Sequence, residues 1–299
     1  MVRFAGVYAA LLTPRQTNGE LDISSYHNQV KSLGRSGLTG FAINGATGEF
    51  TISSEQELER LLQKTREAAP EAEILCGIGS GDVNGAVRRA RLAVEAGAKA
   101  ALLPMPCFFP YRQDDLHSFA STVASNVGLP VLLYNLPQFT SGLHVETVLS
   151  LLATHDNIVG IKDSSGSLDI VRAITEARLP AARLIGNDGA LAAALVEDIC
   201  DGVVSGVACT LPELMTNLFA TGGKGESFTD SRALLDEFIQ SISILPTPWG
   251  LKVTSSMRGY TQISFPFPLS TQRQEEAARL SNWFLDWYKQ TLQVKTGAA

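Results

Sequence analysis

The chain has 299 residues, 45% of them hydrophobic and 18% charged, and its 24 Lys and Arg against 30 Asp and Glu leave a net charge of −6. This suits a globular chain with a large core, in one large domain or two ordinary ones. It argues against nucleic-acid binding, because no basic run is longer than Arg88-Arg89. No apolar stretch approaches bilayer length and the N-terminus lacks a secretory apolar core, so the cytoplasm is the expected location. Cys76, Cys107, Cys200 and Cys209 lie far apart, mostly in or beside apolar runs, and read as reduced core residues.

Apolar strand-like runs alternate with helical patterns from the first residues onward, the signature of repeated βα units around a parallel sheet. Gly6 to Leu12 is the first strand, and Asp22 opens a helix carrying Ile23, Tyr26, Val30 and Leu33 at helical spacing. Gly40 to Ile43 is the second; Ser53-Ser54-Glu55 then caps a helix running to about Ala69. Glu73 to Gly77 is the third, and Asp82 caps a helix that ends at Gly97. Ala98 to Leu103 is the fourth strand, leading into Pro104-Met105-Pro106-Cys107-Phe108-Phe109-Pro110-Tyr111, with a helix over about Gln113 to Asn126. Pro130 to Tyr134 is the fifth, followed by a helix near Val145 to Ala153. Ile158 to Ile161 is the sixth and delivers Lys162. Arg183 to Gly186 and Gly202 to Ser205 are the seventh and eighth, followed by helices over Ala190 to Val196 and about Pro212 to Ala220. Eight such units predict an α/β fold, a (β/α)8 TIM barrel over residues 1–222. Residues 223–299 show helical periodicity only, broken at Pro246, Pro248, Pro266 and Pro268, and read as a C-terminal helical extension whose last residues, from Lys295, fray.

A lysine at the end of a buried strand is costly unless it is used. Lys162 either snorkels to the rim, pairs with Asp163, or is a desolvated amine that condenses with ketones to a Schiff base. Barrel enzymes gather their chemistry at the C-terminal ends of the strands, which places Lys162, Tyr134, the Gly45-Ala46-Thr47-Gly48-Glu49 turn and Gly186-Asn187-Asp188 around one cavity. Tyr134, from the neighbouring strand, is positioned to shuttle protons for carbinolamine and imine steps. The glycine-flanked turn offers consecutive N–H groups and a hydroxyl to a carboxylate. An anion held beside a ketone-attacking lysine points to an α-keto acid. His27, His117, His144 and His155 are scattered without ligand spacing, so no metal site is expected. Gly77-Ile78-Gly79-Ser80-Gly81 lacks the lysine of a phosphate loop and reads as a strand-to-helix connection. Glu49 is a candidate acid or base, or an anchor for its own loop.

Together, Gly45-x-Thr47-Gly48-Glu49, Tyr134-Asn135-x-Pro137, Ile161-Lys162-Asp163 and Gly186-x-Asp188 resemble the pyruvate-dependent class I aldolases of the dihydrodipicolinate synthase and N-acetylneuraminate lyase type, over essentially the whole chain. The resemblance implies that Lys162 forms an imine with pyruvate or another 2-keto acid and that Tyr134 shuttles the proton. It implies that the amides of Ala46 and Thr47, with the Thr47 hydroxyl, bind the C1 carboxylate, while Gly186, Val204, Phe108 and Phe139 complete the substrate-binding set. No cofactor is implied, and a homotetramer is.

Departures from the synthase pattern point to the lyase side. The first of two adjacent hydroxyl residues is Ala46, and a second relay tyrosine is replaced by Phe108. The arginine that holds a second substrate's distal carboxylate is missing from Gln138-Phe139-Thr140-Ser141, and burying a carboxylate without a cation is costly. Gln138, Thr140, Asn187, Asp188 and Ser205 suit hydroxyl recognition better than anion recognition. The expected reaction is reversible cleavage of a 2-keto-3-deoxy sugar acid, or a related 4-hydroxy-2-keto acid, to pyruvate and an aldehyde. Dehydration through the same imine, dihydrodipicolinate synthesis, and a keto-acid-binding barrel with little turnover are the alternatives.

Overall fold

A computed structural model of the chain describes residues 3–293. Eight parallel strands, β1 (Gly6–Ala10), β2 (Gly40–Ile43), β3 (Glu73–Gly77), β4 (Ala100–Pro104), β5 (Val131–Asn135), β6 (Ile158–Asp163), β7 (Ala182–Ile185) and β8 (Gly202–Ser205), close into a barrel as β8 pairs with β1. Both faces of each strand are covered, which is why the strands read as near-continuous apolar runs. The outer ring is α1 (Ile23–Leu33), α2 (Glu55–Ala68), α3 (Val83–Glu95), α4 (Gln113–Asn126), α5 (Val145–Thr154), α6 (Asp169–Glu176), α7 (Asp188–Val196) and α8 (Pro212–Ala220). Asp22, Ser54 and Asp82 cap their helices as read from the sequence, Ser54 in a capping box with Glu57.

Some boundaries move, for identifiable reasons. β1 stops at Ala10 because the Gln29 side chain takes over both backbone groups of Leu12, accepting from its N–H and donating to its carbonyl at 3.3 and 3.0 Å. α7 begins at Asp188 rather than Ala190, because the Asn187 carboxamide caps the Gly189 amide at 3.0 Å. Residues 295–299, expected to fray, lie outside the described residues.

The apolar interior divides in two. One cluster fills the barrel itself and includes Tyr8, Leu75, Leu102, Leu132, Tyr134, Leu184 and Val204. A larger one lies between the strands and the helices. The C-terminal helices α9 (Glu226–Ile242), α10 (Trp249–Met257) and α11 (Thr271–Tyr288) contribute Phe238, Leu251, Phe284 and Trp287 to that larger cluster, so the extension shares the barrel's core.

A bulge in β6 sets the direction of Lys162. Val131 pairs with Ile158 but Leu132 pairs with Gly160, leaving Val159 as an extra residue. Side chains alternate faces along a strand, so the single insertion reverses the phase above it. Leu132, Tyr134 and Val159 belong with the barrel interior, whereas Ile158 and Ile161 face the helices. Lys162, in register with Tyr134, therefore faces into the barrel mouth. Without the bulge, the alternation starting from Ile158 would direct it at the helices.

Candidate active site

A cavity of about 280 Å³ opens at the C-terminal ends of the strands. Ala46, Thr47, Tyr134, Phe139, Lys162, Gly186 and Val204, all expected there, line it. Lys162 is 3% exposed, and its Nζ stands 4.0 Å above the centre of the Tyr134 ring. Among the described residues no carboxylate lies within ion-pair distance of this amine. Asp163 is engaged elsewhere: its Oδ1 accepts from the Asn135 amide at 3.0 Å and from the Ser165 N–H at 2.9 Å. That removes the reading in which Lys162 pairs with Asp163.

Gly186 has a steric reason. A β-carbon there would lie 2.8 Å from Lys162 Cε and 2.1 Å from Ser164 Oγ, so glycine leaves the room that the lysine occupies. The carboxylate turn is held at both ends by residues in the left-handed region, Asn44 at φ 59° and Glu49 at φ 55°. Asn44 donates its side-chain amide to the Gly77 carbonyl at 2.8 Å, and the Glu49 N–H closes on the Ala46 carbonyl at 2.9 Å. The N–H groups of Ala46, Thr47 and Gly48 donate to no protein acceptor among the described residues, which leaves them for a bound anion.

Phe108 departs from expectation. It is 91% exposed at φ 84°, rests edge-on against Phe109 with ring centres 4.9 Å apart, and does not line the cavity. The left-handed backbone turns its ring away from the barrel mouth, while the same loop's Cys107 reaches a neighbouring apolar lobe of about 240 Å³. Of the residues read as hydroxyl-recognising, Gln138, Asn187 and Asp188 line the cavity; Thr140 and Ser205 do not. The Thr140 hydroxyl donates to the Leu136 carbonyl, and that of the fully buried Ser205 accepts from Ala208 N–H.

Asp188 accepts from the amides of Gly206 and Val207 through one oxygen, each at 3.1 Å, while its other oxygen is buried and unpartnered. Burial pushes its carboxyl above the usual carboxylate range, against the opposing pull of Ser205, the two amides and Lys162. Ser164 Oγ is likewise buried without a partner. Ser164 was not among the residues expected at the site, yet it lines the cavity, two residues beyond Lys162 and hence on the same face of the chain. Ile239, Ile242, Thr247 and Leu251 also line the cavity, from the C-terminal extension, and no local signal marks them. Among the described residues no cluster of three or more His, Cys, Asp or Glu is placed to hold a metal.

Comparison with known proteins gives the family. The model of the dihydrodipicolinate synthetase family matches residues 3–284. The chain belongs to that family. It is a pyruvate-dependent carbon–carbon lyase of the class I aldolase kind. The 4-hydroxy-tetrahydrodipicolinate synthase of Methanothrix thermoacetophila is 30% identical over 285 residues, covering 93% of this chain and 95% of the relative. That of Bartonella bacilliformis is 28% identical over 269 residues, covering 88% and 91%. The solved dihydrodipicolinate synthase of Aquifex aeolicus superposes with a TM-score of 0.88 at 25% identity, over 95% of this chain and 98% of that one. No helix among the described residues is long and apolar enough to cross a membrane.

Proposed function

We propose that this family member cleaves a 2-keto-3-deoxy sugar acid, or a related 4-hydroxy-2-keto acid, reversibly to pyruvate and an aldehyde through an imine on Lys162. The substrate C1 carboxylate sits on the free amides of the Ala46–Gly48 turn, with the Thr47 hydroxyl beside it. The Lys162 amine adds to the C2 carbonyl, and loss of water gives the imine, which serves as the electron sink. Tyr134, neighbouring the amine, takes the proton of the C4 hydroxyl as the C3–C4 bond breaks. The aldehyde leaves, the pyruvate enamine is protonated at C3, and water returns the free lysine.

The observation that carries the choice of substrate is that, among the described residues, Lys162 is the one cationic side chain lining the cavity. A second substrate with a distal carboxylate would bury that charge without a partner. Gln138, Asn187 and Asp188 instead line the cavity with polar side chains suited to hydroxyl groups. The names of the relatives favour a second reading, condensation of pyruvate with an aldehyde that itself carries a carboxylate. The test is pyruvate release, coupled to lactate dehydrogenase, across 2-keto-3-deoxy sugar acids, N-acetylneuraminate and 4-hydroxy-2-oxoglutarate, with consumption of pyruvate plus aspartate semialdehyde measured alongside. Strong release from one keto acid supports cleavage; robust consumption of the semialdehyde with none released overturns it. Substrate loss without pyruvate identifies a dehydratase.

On this reading the enzyme takes a small-molecule 2-keto acid, needs no cofactor or metal, and works in the cytoplasm as a homo-oligomer, a tetramer by family resemblance. The exposed Phe108 and Phe109 support assembly, as apolar surface that another copy would cover.

A further inference from the structure

Lys252 is a second buried lysine, 2% exposed on α10, and the imine chemistry does not use it. Its Nζ meets Glu49 Oε2 at 2.5 Å, across 203 residues of sequence. Glu49 is the residue that ends the carboxylate turn, and its side chain is only 10% exposed. Its backbone is left-handed, a conformation that glycine adopts without the cost a side chain incurs. A side chain retained at such a position is accounted for if its carboxylate is what matters.

The other side of α10 is fastened to the loop after β8. The Ser255 hydroxyl donates to the Cys209 carbonyl at 3.0 Å, Thr254 and Thr210 share a hydrogen bond at 3.1 Å, and Leu251 packs over Gly206. α10 thus bridges the β2 turn and the β8 loop, the two segments that flank the carboxylate end of the cavity. At its first end the turn is fixed by the Asn44 side chain; at its second end the fastening is the Lys252–Glu49 pair.

We propose that Lys252 is a positioning residue for keto-acid binding, its ion pair with Glu49 holding the Ala46–Thr47–Gly48 amides in the arrangement that receives the C1 carboxylate. The C-terminal extension then acts on substrate affinity through a charge that never touches substrate. This rests on the imine reading above, and the test separates the two.

Pyruvate alone is the probe, and exchange of its C3 protons with deuterium, followed by NMR, reports enamine turnover without a second substrate. Lys252→Met should raise the half-saturating pyruvate concentration at least ~10-fold while the saturated exchange rate changes less than ~3-fold, and Lys252→Arg should recover most of the loss. Since Lys252→Met leaves Glu49 buried and uncompensated, the double variant Lys252→Met/Glu49→Gln, which removes both charges, covers the case in which the single one does not fold. A folded double variant should still show the raised half-saturation. Wild-type half-saturation in either folded variant, or a loss confined to the saturated rate, overturns the proposal. Absence of exchange in the unmodified enzyme overturns the imine reading instead.

Discussion

A lysine amine that is 3% exposed, with no carboxylate within ion-pair reach and an aromatic face 4.0 Å away, sits where burial alone would not place it. Its neighbours assign the roles. Replacing Tyr134 with Phe removes the proton carrier but keeps the ring under the amine, so turnover should fall ~10²–10⁴-fold while pyruvate still forms a borohydride-trappable adduct. Loss of trapping together with turnover would show that the ring position, not the hydroxyl, matters. Asp188 supplies a pH signature. Its folded carboxyl titrates above the ordinary value, so between the two values the native state holds more protons than the unfolded one. Stability from this group therefore falls as pH rises through that window. Asp188→Asn should flatten the corresponding slope of the urea midpoint against pH, in part only, because burial raises Asp163 too. An unchanged slope would contradict the assignment.

At the level of elements, the strand ends were legible in the sequence because a barrel with both faces covered writes its strands as apolar runs and leaves polar residues where they stop. The turn at 45–49, Tyr134 and Lys162 were found that way. The bulge was not, since an extra residue in Ile158-Val159-Gly160-Ile161 leaves every residue type as a strand would have it and shows only in the pairing with β5. Gly160 is its sensitive point, because a β-carbon there would lie 2.3 Å from the Ala182 carbonyl oxygen. Gly160→Ala should cost about 1–3 kcal/mol in urea unfolding. A change under about 0.5 kcal/mol would mean that the strand absorbs the side chain freely. That Phe108 does not line the cavity was not legible for a related reason: residue order places a residue in a loop, while a left-handed φ decides where its ring points.

Across the whole molecule, the extension was legible as helices but not as part of the site. Nothing local in Ile239, Ile242, Thr247 or Leu251 announces a cavity at the other end of the sequence; only tertiary packing brings them there. Because Phe238, Leu251, Phe284 and Trp287 complete the shell between strands and helices, residues 1–222 alone should lack a cooperative thermal transition. A sharp, reversible melt of that fragment would show the barrel to be independent. The shared core also explains how α10 can hold both the β2 and β8 loops, tying affinity at the mouth to a helix outside the eight repeats.

The imine chemistry depends on Lys162 being the amine that takes the keto group. Pyruvate and borohydride, followed by digestion and mass spectrometry, test it directly, because among the described residues two buried lysines stand near the mouth and only Lys162 lines the cavity. A reduced pyruvate adduct is expected on the Lys162 peptide, retained in Lys252→Met and lost in Lys162→Ala. An adduct on Lys252, or none on Lys162 at saturating pyruvate, would contradict that role for Lys162.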